Sequence, residues 1–305
     1  MPHININGVT IAYEVFGEGS PMVWTPGGWF PRDNWVYLNA GCLSSQHTVV
    51  LWDRRNSGAS DMRIEDAPSE FHFWADDLHY LLRALDLSPA YLAGGSNGCV
   101  FSLLMAHRYP EDVKGLILID PPTDDSAILR PLVDAHYFDL ANVAETHGMR
   151  AVIAHSTEAW VRIVTGTSKP EAFDWLLNWV AETIAMNPSN RDRFLAIDPQ
   201  QFATITRKWG NFHFTGRLHF GGLSDEDIQR ITAPALVAHG FDPIHPRHTA
   251  ESLHRLLPNA EWIEFADHYP RETLEQMAAS DALWTEKAIL TMPLIRKFLQ
   301  RIEVQ

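Results

Sequence analysis

The stretch "PAYLAGGSNGCVFSLLMAHRYP", from Pro89 to Pro110, joins an apolar run of β-strand character to an apolar run with helical spacing. Between the two runs, residues 94–98 read Gly-Gly-Ser-Asn-Gly, so a serine lies in a turn among small residues. Glycine and serine are common in ordinary turns, and the pentapeptide alone does not separate such a turn from a catalytic one. The strand–turn–helix context favours catalysis, because it presents the serine at a sheet edge and at a helix N-terminus.

The overall composition is that of a globular protein. The 305 residues are 46% hydrophobic and 20% charged, and the formal net charge is −14. A nucleic-acid partner is not expected, because this charge repels phosphate. Cys42 and Cys99 lie far apart with no Cys or His at metal spacing, which predicts reduced thiols. Without a signal-peptide pattern or a membrane-length apolar run, the protein is expected to be soluble and cytoplasmic, with no membrane partner and a homodimer left open.

Strand-like and helix-like segments alternate along the first part of the chain. The alternating pattern around Asn7 and Gly8 predicts a β-hairpin. Short runs that are almost purely apolar, "PMVWT", "HTVVLW" and "GLILI", predict strands buried on both faces. Helical spacing of apolar residues follows "HTVVLW" and the strand-like "PAYLAGG". The alternation predicts a doubly wound α/β fold, in which helices flank a mostly parallel twisted sheet.

This alternation stops after the Pro121-Pro122 pair and resumes about a hundred residues later. The intervening patterns, such as "PEAFDWLLNWVAETIAM", are mostly helical. Strand patterns then return in "APALVAHGFDP" and "AEWIEFADHYP". The sequence therefore predicts a core formed by residues 1–122 and 231–305, with a helical cap of residues 123–230 inserted after the sixth strand.

The chemistry of a serine nucleophile sets the next requirement. A serine hydroxyl needs a base, usually a histidine held by a carboxylate, and N–H donors for the oxyanion. Ser96 is the candidate nucleophile, and the N–H of Asn97 is one candidate oxyanion donor. In "TPGGWF" the chain leaves a buried strand through Gly27 and Gly28, so the second donor is expected to be the N–H of Gly28 or Trp29.

Together these motifs resemble the α/β-hydrolase family, in its serine-nucleophile, esterase- and lactonase-like branch, over nearly the whole chain. Residues 53–61, "DRRNSGASD", are similar to the family's Asp-x-Arg-Gly-x-Gly-x-Ser-Asp loop, with Asn56 in place of the first glycine. "HGFDPIHP" is similar to the loop that carries the acid, and "FADHYP" lies where the histidine follows the last strand. The resemblance implies a triad of Ser96, Asp242 and His268, in the chain order that this fold uses.

The chain departs from the family pattern near two of these residues. One residue, not two, separates Gly240 from Asp242, and Asp267 and Tyr269 replace the small residues that commonly flank the histidine. Asp120 is the alternative acid, because it ends a predicted strand after which some members place that residue. The resemblance implies neither a metal nor an organic cofactor.

Aromatic residues are frequent in the predicted cap and beside the oxyanion loop. The cap is expected to cover the carboxyl ends of the strands, where α/β sheets bind ligands. Each tryptophan alone is better explained by packing of the cap on the core. Collectively they favour an apolar small-molecule substrate. The expected substrate-binding residues are Gly27, Phe30, Trp160, Trp175, Trp179 and Trp209.

The leading functional hypothesis is hydrolysis of a carboxylic ester or lactone through an acyl-enzyme. A hydrolase of carbon–carbon bonds in ring-cleavage products would use the same triad and would need cations near it, for which Arg54, Arg55 and Arg130 are candidates. An N-terminal peptidase is suggested by the similarity of "GGSNG" to proline iminopeptidases, and it would need acidic groups. A small-molecule receptor built on a hydrolase fold is the non-enzymatic alternative.

Overall fold

A computed structural model describes residues 1–32, 34–169, 172–278 and 283–303 of the chain. The strands are β1 His3–Ile6, β2 Val9–Phe16, β3 Ser20–Thr25, β4 His47–Trp52, β5 Ala90–Gly95, β6 Val113–Ile119, β7 Ala235–Ala238 and β8 Ala260–Ile263. Within the described residues they form one eight-stranded sheet in the order β1-β2-β4-β3-β5-β6-β7-β8.

Helices cover the sheet and fill the long connection between β6 and β7. They are α1 Asn34–Leu43, α2 Glu70–Ala84, α3 Asn97–Arg108, α4 Ser126–Val133, α5 Asp139–His147, α6 Met149–Val164, α7 Asp174–Leu177, α8 Trp179–Met186, α9 Asn190–Leu195, α10 Pro199–Phe212, α11 Asp225–Gln229, α12 Arg247–Leu256, α13 Arg271–Ala278 and α14 Leu283–Glu303. None of the described helices combines the length and the apolar character that crossing a membrane requires.

The pairing of the strands confirms the predicted α/β architecture. Ile6 lies opposite Val9 in an antiparallel hairpin, as expected for a turn at Asn7 and Gly8. The strand β2 is also antiparallel to β4, whereas the neighbours from β4 to β8 are parallel. Every residue of β5 is buried, which explains why this strand lacks polar alternation.

Two apolar layers hold the helices against the sheet. Leu92 of β5 packs into a layer with Phe101 of α3, whereas its neighbour Ala93 belongs to a layer with Trp24 and Phe298 of α14. Consecutive strand residues point to opposite faces, so one strand supplies side chains to both layers. This double packing keeps the strand ends, where the site lies, in fixed relative positions.

The long connection between β6 and β7 is helical. The two strands are parallel neighbours, with Leu116 beside Ala235, although α4 to α11 separate them in the chain. A single π-helical turn, Asp134–Phe138, joins α4 to α5 and buries Tyr137. We call residues 123–230 the helical insertion; the exact division between core and cap stays a prediction.

Candidate active site

Ser96 lies in a strained turn between β5 and α3. Its φ of 52° and ψ of −121° are rare for a residue with a side chain. A Cβ added to Gly94 would lie 2.6 Å from the carbonyl carbon of Gly98, and one added to Gly98 would lie 3.1 Å from the Thr25 oxygen. Gly94 is therefore required for α3 to pass so close to the strand, and Gly98 leaves little room for a side chain. The turn places the serine at the carboxyl end of β5.

The imidazole that contacts Ser96 belongs to His245. Its Nε2 lies 2.9 Å from the Ser96 Oγ, and its Nδ1 lies 2.9 and 3.0 Å from the two carboxylate oxygens of Asp242. Ser96 and His245 are buried, whereas the Asp242 side chain is partly exposed. A hydroxyl, an imidazole and a carboxylate thus form one hydrogen-bonded series at the carboxyl ends of β5 and β7.

The direction of these hydrogen bonds follows from the chemistry of the groups. An ionised carboxylate only accepts, so Nδ1 of His245 carries the proton and Nε2 is left to accept one from Ser96. Burial alone would raise the pKa of Asp242, but hydrogen bonds from the His245 ring and from the backbone N–H groups of Ile244 and His245 lower it. Asp242 is therefore ionised near neutral pH, which fixes the histidine tautomer that a base needs.

A tight loop after β7 brings the Asp242 carboxylate and the His245 ring together, although only two residues separate them. The backbone N–H of His245 donates to the Asp242 carbonyl at 3.1 Å, and the N–H of Ile244 donates to the Asp242 side chain at 2.8 Å. A Cβ on Gly240 would lie 2.2 Å from the His245 oxygen, so only glycine allows the loop to close in this way. The loop folds back and brings the ring to Ser96.

His268, the histidine expected from the resemblance, is not brought to Ser96. It is exposed after the short 3₁₀ turn Phe265–Asp267 that follows β8, and its ring neighbour is Tyr269, with the centroids 6.5 Å apart. The structure thus places His245, and not the expected His268, beside Ser96, because the shorter loop after β7 already supplies a histidine. The sequence signal was the spacing Asp-Pro-Ile-His in "GFDPIHP", which is typical of a turn that brings residues i and i+3 together.

Asp120, the alternative acid, is engaged elsewhere. It is buried at the end of β6 and forms an ion pair with Lys287 of α14. The Lys287 ammonium also donates to the His239 carbonyl at 2.5 Å. Burial lowers the pKa of Lys287, while the charge of Asp120 opposes that shift. This pair connects α14 to the ends of β6 and β7.

The loop after β3, residues 26–30, lies directly against the turn that carries Ser96. A Cβ on Gly27 would lie 3.0 Å from both the Gly95 oxygen and the Ser96 Cβ. Arg54 donates to the Gly28 carbonyl at 3.0 Å and to the Phe30 carbonyl at 2.7 Å, so a buried guanidinium holds the outer side of this loop. We call residues 26–30 the oxyanion loop, after the role expected for them.

A cavity of about 450 Å³ opens in front of Ser96. Phe30 from the oxyanion loop stacks on Trp175 from the helical insertion, with ring centroids 5.3 Å apart and each residue 38% exposed. The cavity is lined by Gly27, Gly28, Trp29, Phe30, Gly95, Ser96, Asn97, Pro122, Leu129, Leu132, Trp175, His213, Leu218, Ile244 and His245. It therefore joins the candidate nucleophile to an apolar space between the core and the insertion.

Three of the expected substrate-binding tryptophans are not among the lining residues. Trp179 and Trp209 are buried, and their rings pack edge-on against Phe194 and Phe73, respectively. Trp160 is partly buried in α6 and does not line the cavity either. Their helical spacing reflects packing of the insertion, which the sequence could not distinguish from pocket lining.

A second serine–histidine–aspartate cluster lies outside this cavity. The Ser252 Oγ is 2.9 Å from Nε2 of His219, whose Nδ1 is 3.5 Å from Asp124. The serine proton, however, is directed to the Thr249 carbonyl at 2.7 Å, so Nε2 of the histidine must donate rather than accept. Ser252 also lies inside α12, where its N–H cannot serve an oxyanion. This cluster is suited to packing rather than catalysis.

The described residues contain no group of three or more His, Cys, Asp or Glu side chains arranged to hold a metal ion. Both cysteines are free, and Cys99 is buried. Burial raises the pKa of the Cys99 thiol well above its usual value, so this thiol stays protonated.

Known proteins of the alpha/beta hydrolase fold are similar to this chain. The model of the alpha/beta hydrolase fold family matches residues 21–146. An uncharacterized hydrolase of Bacillus subtilis, YraK, is 34% identical over 120 residues, which cover 39% of this chain and 43% of that protein. A thermophilic esterase from Thermogutta terrifontis is 20% identical, with 99% of both chains covered and a TM-score of 0.61. An enol-lactonase from Burkholderia xenovorans is 17% identical, with 98% of this chain and 100% of that chain covered and a TM-score of 0.59. At such identities the two structures indicate a shared fold.

Proposed function

Since residues 21–146 match the alpha/beta hydrolase fold family and the whole chain shares that fold, we propose that the protein is a serine hydrolase that cleaves a carboxylic ester or lactone of an apolar small molecule. Ser96 attacks the acyl carbon while Nε2 of His245 takes its proton. The protonated ring then donates that proton to the leaving oxygen, and Asp242 stabilises the ring while it is charged. Water, activated by the same histidine, releases the acyl group from Ser96.

Backbone N–H groups stabilise the oxyanion in this mechanism. Asn97 is the first residue of α3, so its N–H has no partner within the helix and lies in the positive field of the helix N-terminus. The N–H of Gly28 or Trp29 in the oxyanion loop is the second donor. Each donor contributes on the order of 3 kcal/mol of transition-state stabilisation.

The observation that carries the proposal is the uncharged wall of the cavity. Among the lining residues that the structure describes there is no lysine, arginine, aspartate or glutamate. The negative charges of a substrate with several carboxylates would have no partner in this cavity, and neither would the positive charge of a peptide amine. The wall therefore favours a neutral ester or lactone over a ring-cleavage product or an N-terminal peptide.

The three arginines considered for a carboxylate-bearing substrate have other partners. Arg54 binds two carbonyl groups of the oxyanion loop. Arg55 is buried and pairs with Asp77 and Glu65. Arg130 pairs with Asp134 on the same side of its helix. The requirement that we set for a carbon–carbon bond hydrolase is thus unsupported.

The test combines an active-site label with a matched substrate panel. We expect a fluorophosphonate to label the wild-type protein and to leave Ser96→Ala unlabelled. Neutral aryl esters and lactones should be cleaved with kcat/KM about a hundredfold above that of analogues carrying a carboxylate on the acyl chain, because the cavity offers that charge no partner. A folded wild-type protein that takes no label would indicate the receptor instead. A preference for the carboxylate analogues would contradict the neutral-substrate assignment.

The aromatic stack at the cavity should govern substrate selectivity. We expect Trp175→Ala to raise KM for bulky apolar esters by about tenfold and to change that for acetyl esters little, because the indole supplies apolar contact area. Trp160→Ala is the matched control, since it removes a partly buried indole from the same insertion outside the cavity. The measurement is KM for a series of esters of increasing acyl-chain length, in both variants. Equal changes in both variants would contradict a binding role for Trp175.

A further inference from the structure

A buried chain of hydrogen bonds connects the helical insertion to the oxyanion loop. The indole N–H of Trp29 donates to the Tyr137 hydroxyl at 2.8 Å, and that hydroxyl donates to Oε2 of Glu70 at 2.7 Å. The amide of Asn56 approaches the other carboxylate oxygen at 3.5 Å. The members come from four separate segments of the chain: the oxyanion loop, the π-helical turn of the insertion, α2 and the loop after β4.

The donor and acceptor properties of the groups fix the direction of these hydrogen bonds. An indole N–H can only donate, so the Tyr137 oxygen must accept from Trp29. The single phenolic proton is therefore left for Glu70. Tyr137 and Glu70 are only 2% and 4% exposed, so water cannot substitute for either partner. Tyr137 consequently has one arrangement in which all of these groups are satisfied.

Glu70, the final acceptor of this series of hydrogen bonds, is an unusual residue to find buried. Burial raises its pKa to about 7, although hydrogen bonds from Tyr137 and Asn56 and the charge of Arg54 oppose the rise. Burial also raises the pKa of the Tyr137 hydroxyl well above its usual value, so the phenol keeps its proton. A buried carboxyl in this position is costly for folding, and packing alone would be served by an apolar residue.

The series of hydrogen bonds reaches the oxyanion loop at Trp29. Trp29 follows Gly28, whose φ is +51°, and its indole is stacked on His136 with centroids 4.2 Å apart. Arg54 holds the carbonyl groups on either side of Trp29, whereas Tyr137 holds its side chain. The loop is thus fixed from the core through its carbonyls and from the insertion through one indole N–H.

We propose that Tyr137, a residue of the helical insertion, is a positioning residue for the oxyanion loop and acts through the indole N–H of Trp29. The inference rests on the proposed function, because it concerns the donors that hold the oxyanion in that mechanism. It gives the insertion a second role beside covering the cavity: the loop reaches its working geometry only when the π-helical turn is docked. A small displacement of an oxyanion donor weakens the transition state more than it weakens the bound substrate.

The main test is Tyr137→Phe on the full chain with a neutral aryl ester. We expect kcat to fall about tenfold while KM stays within about twofold, because the ring and its packing remain and only the hydroxyl is lost. Tyr109→Phe is the matched control: its hydroxyl donates to Asp76 at 2.7 Å, and Tyr109 is not a cavity residue. The control should leave kcat within about twofold. A merely structural role for Tyr137 would lower the amount of folded protein and leave kcat per labelled site unchanged, which would overturn the proposal.

A second variant tests whether Tyr137 acts through Trp29. Trp29→Phe removes the indole N–H that donates to Tyr137 and leaves the hydrogen bond between Tyr137 and Glu70 intact. We expect kcat to fall by a similar factor, and the double variant to be no slower than either single one. A double variant whose kcat falls by the product of the two single effects would overturn the proposal. An unchanged kcat in Trp29→Phe would overturn it even if Tyr137→Phe fails to fold. Fluorophosphonate labelling of the wild type is done first, so a failure of the proposed function is recognised separately.

Discussion

Replacing His245 with alanine is expected to lower kcat for ester hydrolysis by about four to six orders of magnitude, with little change in KM. The ring is the group whose Nε2 lies 2.9 Å from the Ser96 oxygen. Without it the hydroxyl keeps its proton near neutral pH and attacks the acyl carbon poorly. Substrate binding depends mainly on the apolar wall, which the substitution leaves in place. Steady-state kinetics and the rate of fluorophosphonate labelling measure the loss.

His268→Ala is the matched control for this prediction. It removes the same ring from the position at which the family resemblance expects the base. Because His268 is exposed and its ring contacts Tyr269 rather than Ser96, we expect kcat and KM within about twofold of the wild-type values. If His268→Ala were inactive and His245→Ala active, the base would come from the loop after β8, and the loop after β7 would serve only to hold Asp242. Thermal unfolding of both variants checks that the fold is intact.

The architecture could be predicted from the sequence because its signals are local. Buried parallel strands have uniformly apolar runs, and a serine between glycines at a strand-to-helix junction is typical of a turn that presents a nucleophile. Ser96 has a positive φ, and the backbone of α3 comes too close to Gly94 for that position to carry a side chain. Asn56, which departs from the family pattern, has a φ of 65°, a left-handed conformation that glycine adopts readily and asparagine tolerates.

The partners of Ser96 were harder to predict because they depend on how loops close. The place of Asp242 after a strand indicates it as the candidate acid, but His245 and His268 both follow strands at the same edge of the sheet. Choosing between them requires the close approach of Gly240 to the His245 backbone, which no periodicity encodes. The hydrogen bond from Tyr137 to Glu70 could not be predicted either, since a tyrosine in a helical pattern gives no sign of a partner 67 residues away.

Asp242→Asn is expected to lower kcat by about ten-thousandfold while preserving the fold. In the native loop, Oδ1 of Asp242 accepts from the backbone N–H groups of Ile244 and His245, at 2.8 and 3.0 Å. An asparagine would keep its carbonyl oxygen at this position and turn its NH₂ group toward Nδ1 of His245. That nitrogen would then have to accept, so the proton moves to Nε2. In this tautomer the ring cannot take the proton of Ser96.

Asp120→Asn separates this effect from the alternative acid at the end of β6. Here the lost charge is the partner of buried Lys287, so we expect the free energy of unfolding to fall by about 3 kcal/mol. Activity per folded molecule should stay within about threefold, because Asp120 is engaged by Lys287 while Asp242 contacts the ring. Chemical denaturation measures the first quantity, and kcat normalised to labelled sites measures the second. The reverse pattern, with Asp120→Asn folded but inactive and Asp242→Asn active, would assign the acid to β6 and leave the loop after β7 without a catalytic carboxylate.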